Sequence, residues 1–450
     1  MPSPDTAIAD WIAERRRQGT LEIQRIPFSA CADWHFEGGR LRHRSGRFFT
    51  IVGCHCEVGP AHLAGLDLAM IDQPEVGILG FVVRRGPAGW EWLLQAKAEP
   101  GNVGGTQVGP SVQATRSNYM RVHGGSPTRM LELFTGSPAA WHVLTDVEQS
   151  EQGDRFCGKY NRNVVVEVDG AFPTPDGGLW RWFGHRELRA ALHGDYVVNT
   201  DARSVICSAD WGLLGAPEAG PPFARWRGRG GLGEQLLDSA AEPAAEAGYA
   251  DACARLDAAR RAQAVRLAPV ALDALPGWRV DDWEIAPAGA AADQVVQAYA
   301  VHAEGREVEY WCQPLVASRA PGRIVLVCAR HAGVLRFLLN VSFEFGLREG
   351  AQFAPSYVSG CGHANPDGLL AALAGAGAVV HASVMQSDEG GRFMASVARY
   401  EIVELPAETA AGFADAGVWA SLAVLRRLSR RRGLLNNEMR SALSLLLAWV

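Results

Sequence analysis

Ile8, Trp11 and Ile12 recur at helical spacing and predict an amphipathic helix at the start of the chain. Strand-like runs follow: RFFTIVG (47–53), ILGFVVRR (78–85), WEWLLQAKA (90–98) and VVVEV (164–168). The short GPAG between the second and third predicts an antiparallel hairpin. In WEWLLQAKAE the faces separate cleanly: Trp90, Trp92, Leu94, Ala96 and Ala98 on one, Glu91, Leu93, Gln95, Lys97 and Glu99 on the other. A helical stretch near 185–193 leads into NTDARS. The same order then returns, with strands near 324–329, 334–343, 378–385 and 393–402 and helices toward the end. Strands first and helices last predict α+β domains rather than a doubly wound parallel sheet.

That order returns because the chain is written twice. Residues 82–113 align without a gap on 327–358: Glu99, Gly101, Gln107, Pro110 and Ser111 recur as Glu344, Gly346, Gln352, Pro355 and Ser356. Arg16-Arg17 falls on Arg260-Arg261, Trp34 on Trp278, Gln73-Pro74 on Gln313-Pro314, Trp182 on Trp419, and NTDARS (199–204) on NNEMRS (436–441). Each copy has the size of one ordinary domain, too long a period for a solenoid. The expected division is a first repeat at 1–211, a Gly/Pro/Ala-rich linker at 212–250 and a second repeat at 251–450. Gln95, Lys97 and Gln113 become Asn340, Ser342 and Val358, so the second repeat reads as degenerate and the first as catalytic.

Composition narrows the classes. At 48% hydrophobic, 450 residues can bury two sizeable cores. A net charge of −6 argues against a nucleic-acid binder, and the basic run at 426–432 reads as a solvated helix end. No apolar run is long enough for a membrane span, so no membrane partner is expected. Nine scattered cysteines form no disulfide framework, and a reducing cytoplasm is expected. Cys54-His55-Cys56 and Cys361-Gly-His363 lack a second ligand pair; strand alternation explains the first, and no metal is expected. Gly228, Gly230 and Gly233 have dinucleotide-loop spacing but no strand before them, and read as a flexible joint.

The polar face of 90–99 is either a solvated sheet surface or the floor of a cleft. The loop after it is rich in Gly and then offers Gln113, Thr115, Arg116, Ser117, Asn118, Tyr119, Arg121 and His123, a set suited to a polar anionic ligand. Guanidinium forks match phosphate oxygens.

HRSGRFFTIVG (43–53), QPEVGILGFVVRR (73–85), LLQAKAEPGN (93–102), PSVQATRSNYMRVHGG (110–125) and the paired NTDARSV and NNEMRSAL resemble the NDP-hexose 2,3-dehydratase family of deoxysugar biosynthesis. The resemblance covers nearly the whole chain. Its second half departs from the family pattern at NVSFEF (340–345) and PSYVSG (355–360). The resemblance implies a tandem repeat of two domains, each Nudix-like without the Nudix box, a homodimer and no cofactor. It implies removal of the C2 hydroxyl as water from an NDP-4-keto-6-deoxyhexose, the dTDP-glucose derivative, giving a 3,4-diketo-2,6-dideoxy sugar for a downstream 3-ketoreductase in antibiotic biosynthesis. Glu99 or His123 would be the base, Tyr119 or His123 the acid, and Lys97 would stabilise the enolate. Substrate contacts would come from His43, Ser45, Arg47, Phe49, Gln73, Gln95, Asn102, Gln113, Thr115, Arg116, Asn118 and Arg121. The rival class is a non-catalytic nucleotide-sugar binding or scaffold protein.

Overall fold

The hairpin Gly77–Gly86/Gly89–Ala98 forms with Gly86 opposite Gly89. Trp92, Leu94 and Ala96 enter the main core, while Leu93 turns to a second core with Met130 and Phe134. The strands therefore have apolar cover on both faces where they are central. The computed structural model describes residues 6–115, 128–136, 141–216, 220–289, 294–303, 308–360 and 362–450. No helix among them is long and apolar enough to cross a membrane.

Each repeat carries a large mixed sheet. In the first, His142–Ser150, Tyr160–Glu167, Gly77–Gly86, Gly89–Ala98 and Trp180–Gly184 lie side by side, with Tyr160–Glu167 parallel to Gly77–Gly86. In the second, Val334–Phe343, Gly322–His331, Val397–Glu404 and Val379–Ser387 repeat the arrangement, again with one parallel pair. The predicted strand at 47–53 is Thr50–Val58 instead; residues before it turn at Ser45, whose hydroxyl accepts the Arg47 N–H at 3.3 Å.

Two smaller sheets are built by exchange. Leu21–Ile26 of the first repeat pairs antiparallel with Gln294–Ala303 of the second, and Arg266–Val270 of the second with Thr50–Val58 of the first. Two helices, Thr200–Ser208 and Asn437–Leu446, pack against each other at the centre and are buried along their whole length. Asn199 and Asn436 cap them, each side chain accepting a backbone N–H at 2.8 Å. The buried Arg203 donates to Val198 O, Leu192 O and Ser444 Oγ, and Arg440 to Leu435 O, Ser150 O and Ser204 Oγ. NTDARS and NNEMRS thus cross-brace the repeats.

Several expectations need correction. The described residues of 212–250 are no flexible joint: they include the helix Gly231–Ala240, with Phe223, Leu236 and Leu237 in the main core. The Gly228/Gly230/Gly233 motif is a helix start. Glu234 accepts the N–H groups of Gly228 and Gly230 at 2.7 and 2.8 Å, and Gly233 lies against the Trp226 ring. Gln313 does not occupy the place of Gln73, because it lies inside the strand Tyr310–Ser318 while Gln73 follows the end of Asp67–Asp72.

Cys31 and Cys312 lie together as a disulfide between the repeats, Cα–Cα 5.5 Å and 281 residues apart. Sequence spacing hid this pairing, because strand exchange brings the two cysteines together. Cys31→Ser is expected to cost about 2–4 kcal/mol more in oxidised than in reduced protein; urea titrations with and without reductant measure it.

Candidate active site

The end of strand Gly89–Ala98 places Lys97 and Glu99 two residues apart, so they share a face, and Lys97 Nζ lies 2.7 Å from a Glu99 carboxylate oxygen. Glu99 then meets a carboxyl from the other repeat. Glu389, in the turn after Val379–Ser387, lies beside Glu99 and accepts the Gly391 N–H at 3.0 Å and Gln113 Nε2 at 3.4 Å. Backbone contacts fix the turn: Gly101 N donates to Gly390 O at 2.8 Å, and Ala395 N to Gly101 O at 2.9 Å.

In front of Glu389 is a half-open cavity with about 430 Å³ of empty space, solvent at its mouth included. Its first-repeat walls include Gln73, Gln113, Thr115, Glu151, Lys159 and Asp201. The second repeat closes it with Glu389, Arg392 and Phe393. Arg392 spans the gap, donating to Gln73 Oε1 at 3.2 Å with its guanidinium 4.6 Å from the Phe49 ring centroid. The cavity is therefore walled by both repeats.

Burial dominates the electrostatics. It pushes the Glu389 carboxyl up to about 8, with the Glu99 charge adding to the effect and Arg392 and Lys97 opposing it. It holds the Lys159 ammonium down to about 8 against the pull of Glu151. Asp201 is pushed well above the ordinary carboxylate range by burial, then by Glu151 and Glu389. Several acids and Lys159 thus share few protons around one cavity, the arrangement that acid–base chemistry near neutrality requires.

Of the expected contacts, Gln73, Gln113 and Thr115 line the cavity, and Phe49 stands behind Arg392. Lys97 and Glu99 stand behind Glu389. Asn102 holds its own loop, donating to Lys97 O at 3.2 Å. His43 and Ser45 bond each other at 2.8 Å in a surface turn with Arg47, and Gln95 sits opposite Trp180 and Gly109 in the sheet; none of these four lines the cavity. Arg116, Asn118, Tyr119, Arg121 and His123 lie outside the described residues. Cys54 and Cys56 point into the sheet's core while His55 turns out to Asp67, as alternation demands. Sequence reading missed Lys159, Asp201, Glu151, Glu389 and Arg392. The repeat comparison carried a signal for Lys159 and Glu389, because they align with Ser396 and Gln152.

The second repeat shows what the first has kept. Glu344 matches Glu99, but its oxygens are taken by Gly153 N at 3.0 Å and Asn436 Nδ2 at 2.8 Å. Ser342, Ser396 and Val358 replace Lys97, Lys159 and Gln113, and Gln152 turns to Asp388 at 2.9 Å.

Residues 5–208 and 250–446 match the family described as NDP-hexose 2,3-dehydratase. The dTDP-4-dehydro-6-deoxy-alpha-D-glucopyranose 2,3-dehydratase of Saccharopolyspora spinosa is 33% identical over 97% of this chain and 90% of its own length. Enzymes of the same name from Amycolatopsis orientalis and Streptomyces violaceoruber are 32% and 31% identical, each over 96% of this chain and over 88% and 95% of their own.

Proposed function

The chain belongs to the NDP-hexose 2,3-dehydratase family, and from that premise we propose that its substrate is dTDP-4-dehydro-6-deoxy-glucose, dehydrated across C2 and C3 in the Lys159–Glu389 cavity. The observation that carries this reading is the asymmetry between the repeats. Lys159, Gln113 and Glu389 line one cavity with Lys97 behind Glu389, while their counterparts in the other copy are Ser396, Val358, Gln152 and Ser342.

The chemistry follows from the C4 ketone. It acidifies the C3 hydrogen, a base removes that proton to give an enolate, and departure of the C2 hydroxyl leaves an enol that ketonises to the 3,4-diketo-2,6-dideoxy sugar. The C4 oxygen needs a cation as charge develops on it. We assign that role to Lys159, which reaches the cavity, in place of Lys97, whose ammonium is held at Glu99. Glu99 stands behind Glu389, so His123 is the proposed base at C3. Arg116, Asn118, Tyr119 and Arg121 are proposed to contact the sugar diphosphate, with Arg392 adding charge from the other repeat. The repeat boundaries 1–211 and 251–450, a Nudix-like fold for each repeat, a homodimer, a cytoplasmic location and a downstream 3-ketoreductase in antibiotic biosynthesis belong to the same proposal.

Incubation with dTDP-4-dehydro-6-deoxy-glucose and a trapping ketoreductase tests it by mass spectrometry. Loss of one water supports the enzyme; binding without a mass change supports the scaffold reading instead. Lys97→Ala is expected to lower kcat by about 10²-fold with little change in KM, through loss of the ion pair that holds Glu99; steady-state kinetics check this.

A further inference from the structure

We propose that Glu389, supplied by the second repeat, is the general acid that protonates the departing C2 hydroxyl, with Glu99 sharing its proton and Lys97 positioning the pair. This rests on the dehydratase reading above and adds a catalytic group from the copy that otherwise reads as degenerate.

Glu389 accepts the Gly391 N–H and Gln113 Nε2 beside Glu99, and burial together with the Glu99 charge pushes its carboxyl up, so the pair holds a proton near neutrality. Of the two, Glu389 lines the cavity, so the proton has a path to a bound sugar. The turn that carries it is fixed by Gly101 on one side and by the Gly391 N–H on its own carboxylate. The matching turn in the first repeat carries Gln152, which bonds Asp388, and Glu344 there is satisfied by Gly153 and Asn436. An acid pair facing a cavity is thus a property of one site, and it is assembled only by the fusion of two copies.

The step balances without an oxidant or a second substrate. After C3 deprotonation the enolate electrons re-form the C4 carbonyl and a C2=C3 bond, and the C2–O bond breaks with its electron pair. The oxygen takes the Glu389 proton and leaves as water. When the enol ketonises, C2 gains a proton and the C3 hydroxyl loses one, and exchange with solvent restores the acid.

The test compares the natural substrate with its 2-deoxy-2-fluoro analogue, whose fluoride leaves without being protonated. Glu389→Gln puts into this turn the side chain that Gln152 already presents in the other. It is expected to lower water elimination by about 10²–10⁴-fold, to keep exchange of the C3 hydrogen with D2O, and to release fluoride at nearly the wild-type rate. An equal loss on both substrates, or loss of C3 exchange, overturns the assignment and leaves the dehydratase reading standing. A wild type that eliminates neither water from the natural substrate nor fluoride from the analogue overturns that reading instead. The wild type alone supplies a second measurement: at alkaline pH, water elimination is expected to depend on one more proton than fluoride release does. Among the described residues, the charged groups around Glu389 are Glu99, Lys97, Arg392, Asp201, Glu151 and Lys159, and all are present for both substrates. Identical pH slopes contradict the proposal.

Discussion

Gly101→Ala is expected to yield no stably folded protein. A Cβ at Gly101 would sit 1.5 Å from the Phe393 carbonyl oxygen and 2.6 Å from its carbon. Neither backbone can retreat. Gly101 bonds Gly390 and Ala395 through both of its own peptide groups, and Phe393 pairs with Val316 in the exchanged small sheet. The obstacle is space, because Gly101 is not among the positive-φ residues. Overlap of this kind costs more than about 4–5 kcal/mol, a large share of the 5–15 kcal/mol that typically separates folded from unfolded. Gly346→Ala is expected to do the same, since its Cβ would fall 1.6 Å from the Phe156 oxygen. Gly289→Ala is the control: nothing among the described residues lies within 4 Å of its Cβ. Soluble yield and thermal melting by circular dichroism measure all three, and a Gly101→Ala melt within a few degrees of wild type rules the account out.

The pair Gly101 and Gly346 also shows what the sequence made legible. Positions that recur in both copies serve the frame. Ser111 and Ser356 each bridge a hairpin, accepting from Val82 N and Val327 N and donating to Leu93 O and Leu338 O. Gln107 and Gln352 reach Ser387 and Ser150 across the junction. Arg16 and Arg260 tie their helices to backbone carbonyls at Thr106 and Ala351. The hairpin, the opening helix and the strand order were readable for the same reason: each depends on local periodicity. The polar positions that differ between copies pointed toward the cavity: Gln113 lines it and Lys97 stands behind Glu389. What the pattern could not show was exchange. Nothing local to Leu21–Ile26 or Arg266–Val270 says which repeat's sheet each joins, so neither the Cys31–Cys312 pair nor the second-repeat wall of the cavity was foreseen. Asp201 stayed hidden inside NTDARS, where a helix cap and a buried arginine already accounted for the motif.

Lys159→Met should separate the two lysines. Lys159 is almost wholly buried; its ammonium donates to Glu75 O, and Glu151, Asp201 and Arg392 are the other charges acting on it. If it stabilises the C4 oxyanion, its loss removes a preorganised cation from a low-dielectric site, a deficit of about 10²–10³ in kcat. Stability should move the other way. The folded-state pKa, about 8, lies below the ordinary lysine value of 10.5, so the fold binds this proton more weakly than the unfolded chain does. Its contribution is favourable only above the unfolded value and is lost as pH falls through about 8. At neutral pH the buried ammonium therefore destabilises the fold, and methionine, of similar length, relieves it. The pH profile gives the sharper distinction. Wild-type turnover should fall above pH 8 with a slope approaching two protons, because the Lys159 ammonium and the Glu389 carboxyl titrate together there. Lys159→Met should fall with a slope of one, its residual rate set by Glu389 alone. A variant that melts higher, turns over slowly and keeps a two-proton slope would place the required cation elsewhere and return the oxyanion role to Lys97.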